Sequence, residues 1–551
     1  MRHSANSEET PTAQHVARCS LPRWVPPLVI AAVGLSLYVP GIRWGLPGAE
    51  SWSQDTIAGV RTIGPMHYWP DRWVGRYPPL QYTVNRLAYE PLYRHWRSQG
   101  VLGVHESTGI EIPVERQPER YGLLILVSRW ITVVMALACG WGIFLTGRRL
   151  MGDDAVALAG ALMMMIGAAF CYFAHLGNVD VPAMCWFALS AYFYVTVCRG
   201  GGRISCALLG LFAGLAVCTK DGMGAMYPGM AGVLLVIEYR RARSGASRPQ
   251  AALKAVANPK WLIGVACFVV PFLYINGMFH NFNAQWARIT SLAAEVRTSH
   301  YRSHDGQLAL GWATVGFAAS AVGWPMVAAM VAGVVHGVRR HRAEAAILLV
   351  PVACYYVVFI MPVQYVYARF LLPPLALIGI LTARAGADFL RWEGVPRPIR
   401  VLVVAIPVLL SLGQSIAIDR DMIHDTRYDA EGWFDASVPR PADVGVFCKM
   451  QYLPRLPDKG YAVYPVEMTR DAFGRRQPEY LVLSSYCYID FDDDQQSVMA
   501  DLLAGRLGYE IEAFFRRTEP LGWGSWLELA GWGMERVGKI SPQIIVLRRS
   551  R

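Results

Sequence analysis

The feature that most limits the folds open to this chain is its series of long apolar runs. Of its 551 residues, 54% are hydrophobic, and about eleven runs approach the roughly 20 helical residues that cross a hydrocarbon core of about 30 Å. The runs cover residues 24–42, 121–146, 155–173, 181–197, 204–218, 224–237, 261–275, 308–335, 346–361, 370–389 and 401–418. This pattern excludes an ordinary soluble enzyme, and it predicts a polytopic α-helical membrane protein with about eleven transmembrane helices.

The charges between the runs predict how the chain crosses the membrane. The links after every second run are rich in arginine, and the positive-inside rule assigns them to the cytoplasm. These links are 147–149, 198–203, 238–248, 338–342 and 391–400. The N-terminus is then cytoplasmic and the first run is a retained signal anchor. The long first loop, 43–120, and the chain after residue 418 lie outside the membrane. The net charge of +11 therefore reflects membrane topology and indicates no nucleic-acid partner.

Composition divides the chain into three predicted parts. Residues 1–22 form a polar cytoplasmic tail that we expect to be disordered, and residues 23–418 form the transmembrane domain. Residues 419–551 predict a small α/β domain outside the membrane, because "DTRYDAEGWFDASVP" and "DDDQQSVMADLLAG" have helical patterns and "DVGVFC", "EYLVLSS" and "QIIVLRR" resemble strands. Cys448 and Cys487 are the two cysteines of this domain. They could form a disulfide, and the sequence leaves that open.

Four ionisable residues at or near the predicted membrane boundary are candidates for function, because charges at membrane depth are costly. Lys220 in "CTKDG" and Arg369 in "YVYARFLLPP" lie at predicted outer ends of apolar runs, against the positive-inside bias, where they could bind an anion. Lys220 could instead mark a helix end by snorkelling. Asp180 precedes Pro182 and could cap the next helix, serve function, or both. Arg129 could bind an anion or pair with a buried carboxylate.

The first loop holds further candidates. Asp55 lies in "GAESWSQDTIAGV", with Glu50 five positions earlier. Taken alone, Asp55 is sufficiently explained as the cap of a following helix. Tyr77 belongs to "DRWVGRYPPLQY", in which two prolines fix an extended backbone. The aromatic rings there could form an interfacial belt or a binding wall. No Ser-His-Asp set and no cluster of metal ligands is apparent in the sequence.

Several motifs occur in an order that resembles a known superfamily. They are "SWSQDT" and "RYPPL" in the first loop, "GNVDVP" before the fourth run, "CTKDG" after the fifth and "ARFLLPP" in a late run. Together they resemble the bacterial GT-C membrane glycosyltransferases, the superfamily of protein O-mannosyltransferases and the lipid A aminoarabinose transferase. The segment "DTRYDAEGWFDASVPR" also resembles the start of the C-terminal domain in many members.

The resemblance implies a GT-C fold and an enzyme of the bacterial inner membrane. Such an enzyme transfers one sugar from a polyprenyl-phosphate donor to a glycolipid, polysaccharide or protein acceptor on the periplasmic side. The anomeric centre is inverted in one displacement, and no nucleotide-sugar domain is needed.

The resemblance also assigns a base. Asp55 would deprotonate the acceptor hydroxyl, a contribution of roughly 10²–10⁴-fold in rate. Many members have a second acidic residue directly after this aspartate, whereas this chain has Thr56, so Glu50 is a substitute to consider. Many members also have histidine after "YPPL", where this chain has Gln81. These departures weaken the case for a divalent metal, and no other cofactor is implied.

The same resemblance assigns the donor contacts. Lys220 and Arg369, with Arg129 as a third cation, would bind the donor phosphate and stabilise its charge as it leaves. Asp180 would orient the sugar or the base. Tyr77 would shape the wall where lipid, sugar and loop meet.

Two other classes of function are compatible with the apolar pattern. One is a transporter or flippase of a lipid-linked sugar, although such proteins more often show inverted repeats and helices broken at the membrane centre. The other is an inactive relative that binds envelope glycans through its C-terminal domain. The gathering of polar candidates on one predicted face favours the transferase.

Overall fold

The computed structural model describes most of the chain. The described residues are 20–48, 52, 77–101, 117–279, 282–295, 306–475, 477–488, 491–517 and 540–550. Asp55, Thr56 and Glu50 lie outside these residues, as does the predicted tail up to residue 19. The predictions made for them therefore remain predictions.

The membrane part consists of helices. They are α1 (Val25–Tyr38), α2 (Leu80–Ser98), α3 (Pro118–Met151), α4 (Asp154–Met165), α5 (Ala168–Ala174), α6 (Asp180–Cys198), α7 (Arg203–Thr219), α8 (Tyr227–Arg243), α9 (Arg248–Val256), α10 (Pro259–Ile275), α11 (Phe282–Glu295), α12 (Gln307–Val322), α13 (Trp324–Arg340), α14 (Arg342–Tyr355), α15 (Leu372–Arg391) and α16 (Arg397–Ile423). A π-helical stretch, Tyr356–Ile360, extends α14 to Val363, and short 3-10 turns cover Asp221–Met226 and Ala368–Phe370.

Several of these helices have the length and composition of membrane spans. Within the described residues they are Pro118–Met151, Asp180–Cys198, Arg248–Ile275, Arg342–Val363 and Arg397–Ser437. Two bent pairs, α4 with α5 and α12 with α13, also qualify if each pair counts as one crossing. The predicted helical membrane architecture is confirmed. The number of about eleven crossings stays a prediction.

Two apolar runs fold differently from the prediction. The run 155–173 bends by 69° between α4 and α5. The run 308–335 was expected to form one span, but α12 and α13 meet at an angle of 114°. The break lies at Gly323, whose φ of +87° is accessible to glycine and strained for other residues. A proline follows within the first turn of α13. Hydropathy is continuous across this point, so the apolar pattern alone could not predict the bend.

Close helix contacts in the bundle depend on small residues. A Cβ atom at Gly210 of α7 would lie 1.9 Å from the carbonyl oxygen of Gly264 in α10. A Cβ atom at Gly142 of α3 would lie 3.0 Å from that of Ala188 in α6. Because lipid tails are as apolar as leucine, helices in a membrane associate largely through such close packing.

The chain after α16 forms a separate α/β layer. Its elements are α17 (Thr426–Ser437), β1 (Asp443–Val446), β2 (Ala462–Pro465), α18 (Arg470–Arg475), β3 (Tyr480–Ser484), α19 (Ser485–Tyr488), α20 (Asp493–Leu503), β4 (Tyr509–Phe515) and β5 (Ile544–Arg549). The described strands form one sheet in the order β2-β1-β3-β5-β4. The strand β1 pairs in parallel with β2 and β3, and β5 pairs antiparallel with β3 and β4.

The predicted elements of this domain are found where they were expected. The strands β1, β3 and β5 and the helices α17 and α20 fall on the predicted segments. Apolar side chains fill both faces of β3, which is buried along its whole length. The structure pairs Cys448 with Cys487 as a disulfide, with 5.8 Å between their Cα atoms.

Candidate functional site

The candidate site begins where two helix ends meet. The helix α7 ends at Thr219, and Lys220 follows in an extended conformation. Asp180 is the first residue of α6, and the N-cap position belongs to Val179, so the predicted cap role of Asp180 is wrong. The Nζ atom of Lys220 donates to Oδ1 of Asp180. Both side chains are largely buried, at 12% and 4% exposure.

The other oxygen of Asp180 is also held. Nδ2 of Asn178 donates to Oδ2 of Asp180 over 3.0 Å, and the Asp180 backbone N–H donates to Oδ1 of Asn178 over 3.1 Å. These two bonds fix the carboxylate at the start of α6. The "GNVD" segment therefore holds the Asp180 carboxylate in place, and its Asn178 side chain accepts from the first N–H of α6.

Arg369 completes the group from a third direction. It lies in the 3-10 turn Ala368–Phe370, and its Nη1 atom is 4.0 Å from Oδ2 of Asp180. The guanidinium lies 5.4 Å from the ring centre of Tyr367 and 5.6 Å from that of Phe370. Its Nε atom is buried and has no hydrogen-bond partner among the described residues. Arg369 thus keeps donor capacity that Asp180 does not use.

The charges of this group do not cancel. Lys220 and Arg369 carry two positive charges against the single negative charge of Asp180. The Lys220 ammonium also lies 5.1 Å from the ring centre of Phe370. Tyr77, from the start of the "YPPL" segment, interacts electrostatically with Arg369. A buried excess of positive charge with free donors suits an anion such as a phosphate.

A second ion pair lies beside the first, and the sequence did not reveal it. Nη1 of Arg288, in α11, is 3.2 Å from Oδ2 of Asp221, the neighbour of Lys220. Nη2 of Arg288 also donates to Oδ1 of Asn276 over 3.3 Å. Arg288 is 9% exposed. The only signal was an arginine in a predicted outer segment, which by itself indicates no partner.

Arg129 contacts the start of the first loop. Its side chain is buried, and Nη1 donates to the carbonyl oxygens of Ile42 and Trp44 over 2.7 and 2.8 Å. The guanidinium is therefore directed at the backbone where the first loop begins. Its predicted role as a donor-phosphate ligand stays a prediction, and these two bonds hold the start of the first loop.

The C-terminal domain holds the same part of the loop. We call residues 42–48 together with Trp52 the loop start. Trp44 Nε1 donates to Oδ2 of Asp425 over 2.9 Å, and the Gly45 N–H donates to the Tyr428 hydroxyl over 2.8 Å. Trp52 Nε1 donates to the carbonyl oxygen of Leu453 over 2.9 Å.

Two arginines of the C-terminal domain enclose the Trp52 ring. The guanidinium of Arg427 is 4.1 Å from the ring centre, and that of Arg455 is 4.9 Å away. Arg455 also donates to the carbonyl oxygen of Pro47 over 2.7 Å. Burial opposes the charged form of Arg455, but hydrogen bonds and the charge of Glu431 outweigh it and raise the pKa of the guanidinium. Trp52 is 1% exposed, so the loop start is fixed three residues before Asp55.

Groups of potential metal ligands exist in the described part of the chain, and neither of them includes Asp180. One joins Cys171, His175 and Asp419, and another joins His336, His341 and Asp388. The three residues Asp180, Lys220 and Arg369 contribute to neither. No described residue of the candidate site therefore supplies a metal-ligand cluster.

Part of the chain matches a known protein family. Residues 122–258 match the family model described as dolichyl-phosphate-mannose-protein mannosyltransferase. This segment contains Arg129, Asp180 and Lys220. No curated protein matches the chain.

Two solved structures illustrate the structural likeness. ArnT from Cupriavidus metallidurans bound to undecaprenyl phosphate is 12% identical, with 95% of this chain and 98% of that chain covered and a TM-score of 0.46. The archaeal oligosaccharyltransferase AglB from Archaeoglobus fulgidus, in complex with an inhibitory peptide and a dolichol-phosphate, is also 12% identical. That comparison covers 88% of this chain and 71% of that chain, with a TM-score of 0.45.

The family match covers about a quarter of the chain and includes two of the three residues that meet at the site. The resemblance to GT-C membrane glycosyltransferases that the motifs predict is thus confirmed, and over residues 122–258 the chain is similar to the dolichyl-phosphate-mannose-protein mannosyltransferases.

Proposed function

We propose that this protein transfers a sugar from a polyprenyl-phosphate donor to a hydroxyl group of an envelope acceptor. The acceptor is a glycolipid, a polysaccharide or a protein, and the reaction takes place at the outer face of the bacterial inner membrane. One observation carries the proposal: Lys220 and Arg369 meet at a single carboxylate, Asp180, within and beside the segment that resembles mannosyltransferases.

The donor phosphate binds to the two cations. At 4.0 Å, Arg369 Nη1 lies beyond hydrogen-bond range of Asp180, so its guanidinium N–H groups remain available to a phosphate oxygen. Lys220 is held by Asp180 and supplies a second positive charge. As the sugar–phosphate bond breaks, negative charge grows on the phosphate, and preorganised cations stabilise that charge.

The transfer step proceeds by one displacement. The acceptor oxygen attacks C1 of the sugar while the bond from C1 to the phosphate oxygen breaks, so the configuration at C1 inverts. The acceptor proton passes to the Asp55 carboxylate, and polyprenyl phosphate leaves with the bonding electron pair. The loop start supports this role of Asp55, because Trp52 is anchored on the C-terminal domain and leaves only a short stretch of chain to the base. In this proposal Glu50 and Tyr77 orient the acceptor and the sugar.

The disulfide supports the outer location of the C-terminal domain. Cys448 and Cys487 are paired, and disulfides persist in the periplasm and other oxidising compartments but are rare in the cytosol. The loop start lies against the same domain. The site would then open to the periplasmic side, where a polyprenyl-phosphate sugar and an envelope acceptor can meet.

A transfer assay with purified protein tests this function. The substrates are a polyprenyl-phosphate sugar and envelope acceptors, and the measurement is the release of polyprenyl phosphate. Asp55→Asn should lower the rate by roughly 10²–10⁴-fold, since it removes the base. Asp443→Asn, at an exposed position in β1, is the matched control and should leave the rate unchanged.

Three outcomes would contradict the proposal at different points. Wild-type rates from Asp55→Asn would refute the base assignment. Movement of a lipid-linked sugar across vesicles by a protein without transfer activity would favour the flippase. Binding of envelope glycans without transfer or lipid movement would favour the inactive relative.

A further inference from the structure

A second polar cluster lies at the far end of α15 from Arg369. Asp388 is in the last turn of α15, His336 is near the end of α13, and His341 follows α13 directly. Nε2 of His336 and Nε2 of His341 each lie 3.0 Å from the same atom, Oδ2 of Asp388. The three side chains are half-buried, between 23% and 31% exposed.

This cluster is distinct from the candidate transfer site. The helix α15 begins at Leu372, three residues after Arg369, and Asp388 comes sixteen residues later. At a rise of 1.5 Å per residue, that separation is about 24 Å along the helix axis. Nothing in the proposed transfer reaction uses these three residues.

We propose that His336, His341 and Asp388 bind a divalent transition-metal ion of the Zn²⁺ class. Two imidazole nitrogens and one carboxylate oxygen are a ligand set that suits such ions. The three ligand atoms all lie within 4.8 Å of one another. Two ligands of a tetrahedral ion, each at about 2.0–2.1 Å, are roughly 3.3 Å apart, close to the observed separations. A water molecule would take the fourth position.

The hydrogen bonds around Asp388 are too many for its Oδ2 atom, which favours a bound ion. Oδ2 also accepts from Nε of Arg384 over 3.1 Å, so three donors converge on one oxygen that has two lone pairs. An ion that replaces both imidazole protons relieves this convergence. Arg384 Nη2 lies 3.0 Å from Oδ1 of Asp388 and fixes the carboxylate plane, which is the usual task of an outer-shell partner.

The neighbouring charges are nearly balanced. Arg391 Nη1 lies 3.8 Å from Oδ1 of Asp388, and Nη2 of the same arginine pairs with Asp153 over 3.1 Å. Two guanidinium groups thus face two carboxylates around the ligand set. These opposite charges cancel and add little attraction for a dication, so we expect affinity in the micromolar range and not the far tighter binding of structural thiolate sites.

The bound ion would join two helices that already touch. The helices α13 and α15 approach so closely that a Cβ atom at Gly333 would lie 2.6 Å from Cα of Thr382. His336 and Asp388 extend that contact toward the helix ends. An ion that binds only the folded protein stabilises it by mass action, so Zn²⁺ should raise the melting temperature.

The test uses the full-length protein in detergent, free of any histidine tag and dialysed against chelator. Zn²⁺ is titrated calorimetrically, and Co²⁺ is added separately to record its ligand-field spectrum. We expect one equivalent of Zn²⁺, a higher melting temperature, and at least a roughly 10-fold loss of affinity in His336→Gln and in His341→Gln. His424→Gln, at an exposed position after α16, is the matched control and should bind as the wild type does.

The outcomes separate cleanly. The proposal is overturned if the wild type binds no stoichiometric Zn²⁺. It is also overturned if His336→Gln and His341→Gln both bind Zn²⁺ with the affinity of the wild type. Asp388→Asn provides a second variant that keeps the side-chain volume if one histidine variant fails to fold. Because these readouts do not involve sugar transfer, their failure leaves the proposed transferase function untouched.

Discussion

Replacing Asp180 by asparagine should destabilise the protein more than replacing Lys220 by glutamine. The Asp180 carboxylate is the only acidic group among the three residues and is 4% exposed. Its removal leaves the Lys220 ammonium and the Arg369 guanidinium close together without a counter-charge. Replacing Lys220 instead leaves Asp180 beside Arg369 and still bonded to Asn178.

The structure sets the size of this effect. Two unit charges 4 Å apart interact by about 4 kcal/mol at an effective dielectric constant of 20, and loss of one partner from a buried pair costs about 3–5 kcal/mol. Lys220 and Arg369 retain 12% and 24% exposure, so solvent screening favours the lower end. We expect Asp180→Asn to lower the free energy of unfolding by about 3 kcal/mol and Lys220→Gln to lower it by about half of that. The double variant should lose clearly less than the sum.

Denaturant unfolding of the wild type, the two single variants and the double variant, all in the same detergent, measures this coupling. The account requires a coupling free energy of at least about 1 kcal/mol between the two positions. Additivity of the two single changes within about 0.3–0.5 kcal/mol would refute the buried pair. The double variant should also be inactive in the transfer assay, because it lacks the Lys220 ammonium whatever its stability.

Two further predictions concern the C-terminal domain. Trp52→Ala removes a buried ring and its bond to Leu453, so contact between the loop start and the domain should weaken by about 3–5 kcal/mol. Limited proteolysis should then cut the loop faster, and sugar transfer should slow. Trp52→Phe should weaken the contact less than Trp52→Ala does. Proteolysis of Trp52→Ala at the wild-type rate would contradict the contact between the loop start and the domain. Cys448 and Cys487 should react with maleimide only after reduction in protein purified from cells. Reaction without reductant would contradict the outer location of the domain.

Part of the candidate site followed from the sequence, because polar residues next to apolar runs mark helix ends to within a few residues. Lys220, Asp180 and Arg369 were predicted at outer ends of apolar runs, and helix ends on one side of a membrane can meet. Their contact geometry did not follow. The structure shows that Asp180 is bonded to Lys220 and Asn178, whereas hydropathy and spacing give no information on partners.

Other features were outside the reach of sequence patterns for specific reasons. Arg129 has the same chemistry as Arg369, and only the fold shows that its guanidinium is directed at backbone carbonyls. The strands β2 and β4 were missed because β2 has only four residues and is exposed or half-buried along its length, and β4 lies largely exposed. The His336–Asp388 contact joins residues 52 positions apart, so no local spacing signals it.

The central claim is that Lys220 and Arg369 bind the phosphate of the donor lipid. The most direct measurement is the affinity of a polyprenyl phosphate for the wild type, for Lys220→Gln and for Arg369→Gln, with Arg243→Gln as control at the exposed end of α8. A hydrogen bond to a charged group contributes about 1.5–3 kcal/mol, so each site variant should bind roughly 10–100-fold more weakly while the control is unchanged. Wild-type affinity in both site variants would contradict the account.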